Sequence, residues 1–498
     1  MPLSWAEGLC CSMLLMAIWA ILARLPVLSE ASNRVENSSP LAIWITRLLS
    51  SQLLLLSLKL LMVGLFFLVI ICGLYGTPLP QQNLATELTW NIWWAGLIVS
   101  VFFLGSGWCA ICPWDTIASY LTRLNILGAS DNSTRLNLAV PGVLRSVWPA
   151  LLMLLLLSWL ELGYGITADP YATALLAMLM LIITTTSHAL FERKAFCRYF
   201  CPVGRTIGFY SQLAPVALRP VDPQVCSRCE TLECYRGSEQ VEPCPTGLLM
   251  KNLKENSYCT SCTNCVRSCP TANISWKLRP LSQEARQDAR PRHDEAWFVI
   301  ALLALALLHG LTMMPIWEQQ LQQLSAWLGE SGLLLWGFTI LLATTLLLVA
   351  SLYAAAIAVT MKLCRQRIGF KKLFIDMAFM LLPLAFGYHI AHNLTHLWRE
   401  NSWSWLLHPF GLPTQALPSM SRVMPTMGSG EAGLFILQSG FMLFGFCMSL
   451  LILRHRAARL ASHDSNRRGF SLLPLALFAL LITILQLWLL TQPMMMRF

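Results

Sequence analysis

Long apolar runs alternate with short polar breaks along most of this chain. Ten runs, near residues 8–28, 52–74, 90–107, 146–163, 171–190, 296–314, 333–361, 373–397, 431–453 and 470–490, are long enough to cross a bilayer, which takes about 17–25 residues. Between the fifth and the sixth run, residues 191–295 are polar, cysteine-rich and too charged to span. The pattern predicts an all-α polytopic membrane protein with about ten transmembrane helices. It divides the chain into an N-terminal five-helix module (1–190), an extramembrane segment (191–295) and a C-terminal five-helix module (296–498).

Composition agrees: 56% of residues are hydrophobic and 12% are charged, against about 25% charged in a soluble domain. The net charge of +10 needs locating before it is interpreted: nucleic acid is a poor explanation without a soluble basic face and is not an expected partner, whereas membrane lipid is. Lys and Arg set the orientation. The insert carries fifteen of them, the loops 362–372 and 454–469 carry five each, and the loops 75–89, 164–170 and 315–332 carry none. The insert is therefore expected in the cytoplasm and both termini outside. The first run reads as an anchor, because "MPLSWAE" lacks the basic start of a signal peptide.

Many cysteines in a cytoplasmic segment argue for metal over disulfides. Cys259, Cys262, Cys265, Cys269 and Pro270 form C-x2-C-x2-C-x3-C-P, the spacing of a bacterial [4Fe–4S] ferredoxin. Three thiolates wrap one face of a cubane, and the fourth points away to a second cluster. The upstream partner motif is looser: Cys226, Cys229, Cys234, then Cys244 before Pro245. The crossed arrangement assigns Cys226, Cys229, Cys234 and Cys269 to one [4Fe–4S] cluster, and Cys244, Cys259, Cys262 and Cys265 to the other. The insert is thus expected to be a small α+β bacterial-type 2×[4Fe–4S] ferredoxin domain. Four-cysteine zinc is the rival chemistry, but it rarely uses this spacing.

Two further motifs sit at the membrane edge. "GWCAICPWD" places Cys109 and Cys112 just past the third run, and "AFCRYFCPVGR" places Cys197 and Cys201 just past the fifth. The spacings i, i+3 and i, i+4 put each pair on one helical face, and a proline follows each pair. A third cluster, a redox dithiol, a transient metal site and plain buried cysteines all remain open.

Together these motifs resemble the NapH/NosR/CcoG-type membrane-bound polyferredoxins over roughly residues 50–280. The resemblance implies electron transfer between a quinone or cytoplasmic donor and an acceptor at or beyond the membrane, with the eight ferredoxin cysteines as ligands. It implies a bacterial inner (cytoplasmic) membrane location, a cytoplasmic ferredoxin domain and periplasmic termini. This chain has two residues between its first edge cysteines where that family has three, and its last five helices lie outside the resemblance.

In those helices, "FGYHIAHNLTHLW" puts His389, His392 and His396 on one face, and His309 lies at a comparable depth. Ionisable residues within spans usually mark a site. Haem b, copper, a quinone and simple bonding to carbonyls stay open here, with His309 as the opposing ligand for a haem. Met420, Met424 and Met427, with Met313 and Met314, add soft ligands that suit Cu(I). Lys59 lies about seven residues into its span, and Arg24, Glu161 and Asp376 read as charges close enough to span ends to snorkel. No nucleotide fingerprint or nucleophile–base pair stands out.

The sequence thus reads as a membrane-bound iron–sulfur electron-transfer protein, a component of an oxidoreductase system rather than a stand-alone enzyme. A copper- or metal-handling reductase or assembly factor for a respiratory metalloenzyme, and a redox-sensing metal transporter, are the rival readings.

Overall fold

The computed structural model describes residues 3–23, 48, 50–123, 135–363, 369–399, 429–460 and 469–492. Among these, nine helices are long and apolar enough to cross a membrane. They are α1 (Leu3–Leu22), α2 (Gln52–Tyr75), α3 (Leu84–Leu104), α6 (Pro170–Leu190), α8 (His293–Thr312), α10 (Leu335–Leu363), α11 (Phe370–Thr395), α12 (Ala432–Leu460) and α13 (Leu473–Thr491). A shorter apolar helix, α5 (Trp148–Tyr164), is the tenth. The amphipathic α4 (Pro113–Arg123), the short α7 (Pro202–Tyr210) and α9 (Pro315–Trp327) complete the set used below. The first helix begins earlier than the apolar run alone suggests, because Leu3 to Glu7 join it ahead of the run.

The burial of the helices is uneven. Windows in α8 and α11 are 78% and 83% buried, whereas α2 is only 17% buried. Helices whose whole circumference is apolar lie either inside the bundle or against lipid, so α8 and α11 form the bundle core and α2 faces outward. The tightest crossing is α11 on α12. A Cβ at Gly387 would lie 2.6 Å from the Phe441 carbonyl, and one at Gly445 would lie 2.6 Å from the Pro383 carbonyl. Two helices approach this closely only where small residues face each other. That contact fixes the rotation of α11, and with it the face carrying His389 and His392.

All passes share one polarity rule. The ends of α3 and α6 and the starts of α5, α8 and α11 lie on the face that carries the cysteines. Val147 N–H bonds the Asp294 carboxylate at 2.7 Å, which ties α5 to α8 there. Arg456, wholly buried, bonds the carbonyls of Ala285, Ala289 and Asp376, so α12 grips the segment leading into α8. Asp376 is therefore held near Arg456, at 3.8 Å, and does not snorkel.

The only sheet among the described residues is an antiparallel pair, β1 (Val216–Pro220) with β2 (Ile274–Leu278). Its register pairs Val216 with Leu278 and Pro220 with Ile274. Antiparallel pairing brings the chain just after β1 and just before β2 to the same end. Cys226 and Cys269 occupy those two positions.

Candidate metal centres

The pivot of the first quartet is Asn273. Its side-chain amide donates to the Asp222 carbonyl at 2.7 Å and to Cys226 Sγ at 3.4 Å, while its backbone N–H donates to Cys269 Sγ at 3.3 Å. Cys226 lies within electrostatic reach of Cys269 and Cys229, and Cys234 within reach of all three. The second quartet closes on itself likewise. Cys265 feels Cys262, Cys259 and Cys244, and all four line one small pocket. Ser261 and Thr263 stand at φ 52° and 59°. These left-handed residues turn the loop inward after each cysteine at a backbone cost. N–H···S bonds from Ser261 to Cys259 and from Leu248 to Cys244, both 3.3 Å, hold it there.

The membrane-edge pairs also converge. Cys109 feels Cys201 and Cys112, and Cys197 feels Cys201 and Cys109. Each C-P step has a local reason. Pro113 and Pro202 are the first residues of α4 and α7, where a missing N–H costs nothing. The preceding cysteine then sits at the helix N-terminus, where N–H groups and the helix dipole favour a thiolate. Cys201 Sγ accepts from Gly204 N–H at 3.2 Å, and Cys112 accepts from the backbone of Asp115 and Trp114. Cys197 lies in a π turn, Phe196–Phe200, and Cys109 in a tight turn after Gly105, whose φ of 57° reverses the chain at the end of α3.

The sequence reading missed what braces this site. Buried Asp115 accepts from Lys194 at 2.5 Å and lies 3.0 Å from His188 Nε2 and 3.9 Å from Cys197 Sγ. Burial pushes its carboxyl up, but Lys194 and His188 outweigh this and hold it well below the usual range. The signal was present in "CPWD", three residues past Cys112, and in a histidine in the last turn of a span. Among the described residues, Asp115, His188 and Cys197 are the group whose ligand atoms all lie within 4.8 Å. The Lys194 ammonium already neutralises that carboxylate, so we read the group as a brace.

Do the quartets fit a cluster? Their sulfurs do not close to the 4.8 Å grip of a single ion, as the wider cubane requires. Their thiols are also poorly served without metal charge. Burial, then the neighbouring Cys262, push Cys259 up to about 12. Burial, then Cys201 and Cys112, push Cys109 well above the usual thiol range. Cysteine quartets with backbone N–H···S bonds are the donor set of [4Fe–4S] centres.

The three quartets follow one another. Cys234 of the first reaches Cys265 of the second. Ser261, beside the second, meets Ser106, beside the third, at 3.4 Å between hydroxyls. Arg193 donates to the Cys244 carbonyl at 2.6 Å, and Lys194 N–H to the Pro245 carbonyl at 3.0 Å. Arg205, 1% exposed, donates to Ser257 at 3.0 Å and to Cys197 at 3.1 Å. A Cβ at Gly208 would run into the Ser257 carbonyl, so glycine there lets α7 lie flush against the module.

Beyond the third quartet lies a small pocket inside the bundle, lined by Trp94, Glu161, Thr206, His309, Tyr388, His389 and His392 among others. Trp108 and Trp114, beside the edge cysteines, pack on Trp93, which packs on Trp94, which meets His389 at 5.7 Å. Tyr210, at the end of α7, lies 3.4 Å from His389 Nδ1. The structure brings His309 and His392 together, with ring centres 4.8 Å apart, edge to face. No porphyrin plane passes between rings in that contact. Glu161 faces His309 at 3.9 Å: it is a cavity residue, not a snorkelling one, because it lies in a π turn (Leu160–Tyr164) that rotates it inward. The side chain of His396, and Met420, Met424, Met427 and Arg24, lie outside the described residues. Met314 is buried at the end of α8.

Among the described residues, ten apolar helices make a polytopic membrane protein with three groups of four cysteines on one face. A family described as 4Fe-4S binding domain matches residues 86–125 and 171–215. Those stretches hold Cys109, Cys112, Cys197 and Cys201, the four cysteines the sequence reading left open. The chain is also 27% identical over 143 residues to a candidate electron transport protein, YccM, of Escherichia coli (strain K12). That match covers 27% of this chain and 38% of that protein. No solved structure matches. These likenesses support an iron–sulfur membrane class and do not single out the NapH/NosR/CcoG grouping.

Proposed function

We propose that this protein is a membrane-bound iron–sulfur electron carrier holding three [4Fe–4S] clusters. Cys226, Cys229, Cys234 and Cys269 hold the first, Cys244, Cys259, Cys262 and Cys265 the second, and Cys109, Cys112, Cys197 and Cys201 the third. The clusters supply one-electron exchange with little movement of their ligands. The observation that carries the reading is the succession of three quartets from the module to the bundle interior, with the 4Fe-4S family match falling on the innermost.

This chain's residues hold the quartets rigidly in line. Arg193, Lys194 and Arg205 clamp module to membrane edge, and Asp115 fixes the turn that carries Cys197. We assign the module (191–295) to the cytoplasm, the two five-helix modules (1–190 and 296–498) to the bacterial inner membrane and both termini to the periplasmic side. The Lys and Arg distribution supports this. The membrane-side partner is a quinone-class carrier in the cavity beside His389. Buried Tyr388 and Thr206 support it: both are 1% exposed, and their hydroxyls have no hydrogen-bond partner among the described residues. They await acceptor oxygens such as ring carbonyls.

Anaerobic purification followed by iron analysis and EPR tests the reading. About twelve irons and three reducible cluster signals are expected. Stoichiometric zinc without labile sulfide overturns it.

A further inference from the structure

The cavity is polarised. Its near wall, Thr206 and His389, adjoins α7 and Tyr210 and so the third quartet. Its far wall is Glu161 with His309. His309 lies sixteen residues past His293, about 24 Å along α8. Glu161 lies thirteen residues past Trp148, about 20 Å along α5, and four residues before Gly165, where the helix ends. Exposure rises in the same direction. His392 is 2% exposed, whereas the Glu161 and His309 side chains are 15% and 21% exposed. Electrons therefore have a short route on one side of the cavity, and titratable groups line a route on the other.

We propose that His392, His309 and Glu161 form a proton port joining this cavity to the membrane face opposite the cysteines. The proposal rests on the quinone-class reading above. A hydroquinone in the cavity breaks its two O–H bonds. Its two electrons pass singly to the [4Fe–4S] centre of the third quartet. Its two protons pass to the His392 and His309 imidazoles and leave through the Glu161 carboxylate. Reduction of the quinone runs the same steps backward, with protons drawn from the opposite face. Three features of the port support this. The imidazole rings touch, and Glu161 is 3.9 Å from His309 Nδ1, one small shift from a hydrogen bond. Tyr388 stacks on His392, and its hydroxyl occupies the space a Cβ at Gly310 would need, so glycine there seats Tyr388 against α8 at the inner end. Among the described residues, α10 packs on the Glu161 turn through uncharged groups, Phe338 on Gly163 and Thr339 on Trp159.

The test uses full-length protein in sealed vesicles with the module outward, its clusters pre-reduced by external dithionite, and ubiquinone-1 as oxidant. Wild type should oxidise its clusters and take protons from the lumen, read by entrapped pyranine with valinomycin and potassium present. Glu161→Gln should slow this oxidation at least ten-fold, and Glu161→Asp should restore part of the rate. Both variants should be oxidised by ferricyanide, which needs no protons, at the wild-type rate. Ubiquinone-1 oxidation that is unchanged in Glu161→Gln, or proton uptake from the outer medium, overturns the port alone. Wild-type clusters that ferricyanide oxidises and ubiquinone-1 does not overturn the quinone reading, and the port with it.

Discussion

The module quartets and the membrane-edge quartet use the same ligand in opposite ways. Each module quartet takes three cysteines from one short loop and one from the other motif, over a two-stranded sheet with a small apolar core of Leu218, Met250 and Ile274. The edge quartet takes two pairs from chain segments separated by α5 and α6. Its geometry is set by two helix N-termini, a buried ion pair and a wall of tryptophans. In the module, ligation and folding are one process, since so few apolar contacts remain without it. At the membrane edge the scaffold stands on helix packing, and the thiols are added to it. On the three-cluster proposal, the chain has one region that metal builds and one region that receives metal.

Substitutions should separate the two behaviours. The largest effect is expected from Cys265→Ser. It should remove about four irons and expose the module to protease, because its loop loses both ligand and packing. Intact iron and protease resistance would break the comparison. Cys112→Ser should also remove about four irons but leave the module signals unchanged in EPR, while electron exchange with membrane carriers stops. Loss of the module signals would make the edge site structural for the whole.

Asp115→Asn should act on the edge scaffold without removing a ligand. It strands Lys194 in a buried site, at a cost of about 3 kcal/mol, visible in thermal unfolding of the membrane region and not of the module. The smallest effect is expected at Glu255, in the module. Burial, then Glu295 and Glu284, push its carboxyl up to about 7. The folded state holds this proton more tightly than the unfolded chain does. Stability therefore falls as pH rises from about 4.3 through 7. Glu255→Gln should flatten that slope and gain about 1–2 kcal/mol at pH 8. An unchanged pH profile would show that Glu255 is solvated.

The sequence by itself determined the apolar helices and the module cysteines. Both are local: a span needs only a long apolar run, and a cubane loop needs only cysteines a few residues apart, so spacing carries the information. Tertiary structure decided the rest. Cys109 and Cys197 meet because α3 and α6 end on the same face, which no spacing within either motif encodes. Asp115 drew no notice in the sequence, because only the approach of His188 from α6 and of the Lys194 turn makes it a brace. Glu161 looked like a charge near a span end until a π turn rotated it onto His309. The His389 and His392 face was legible as a stripe, and His309 as its opposing residue, but the edge-to-face contact of His309 with His392 and the rotation set by Gly387 meeting Gly445 were not. Helix periodicity says which residues share a face. Which faces meet depends on the closest packing the whole bundle allows, and that is a property of all ten helices together.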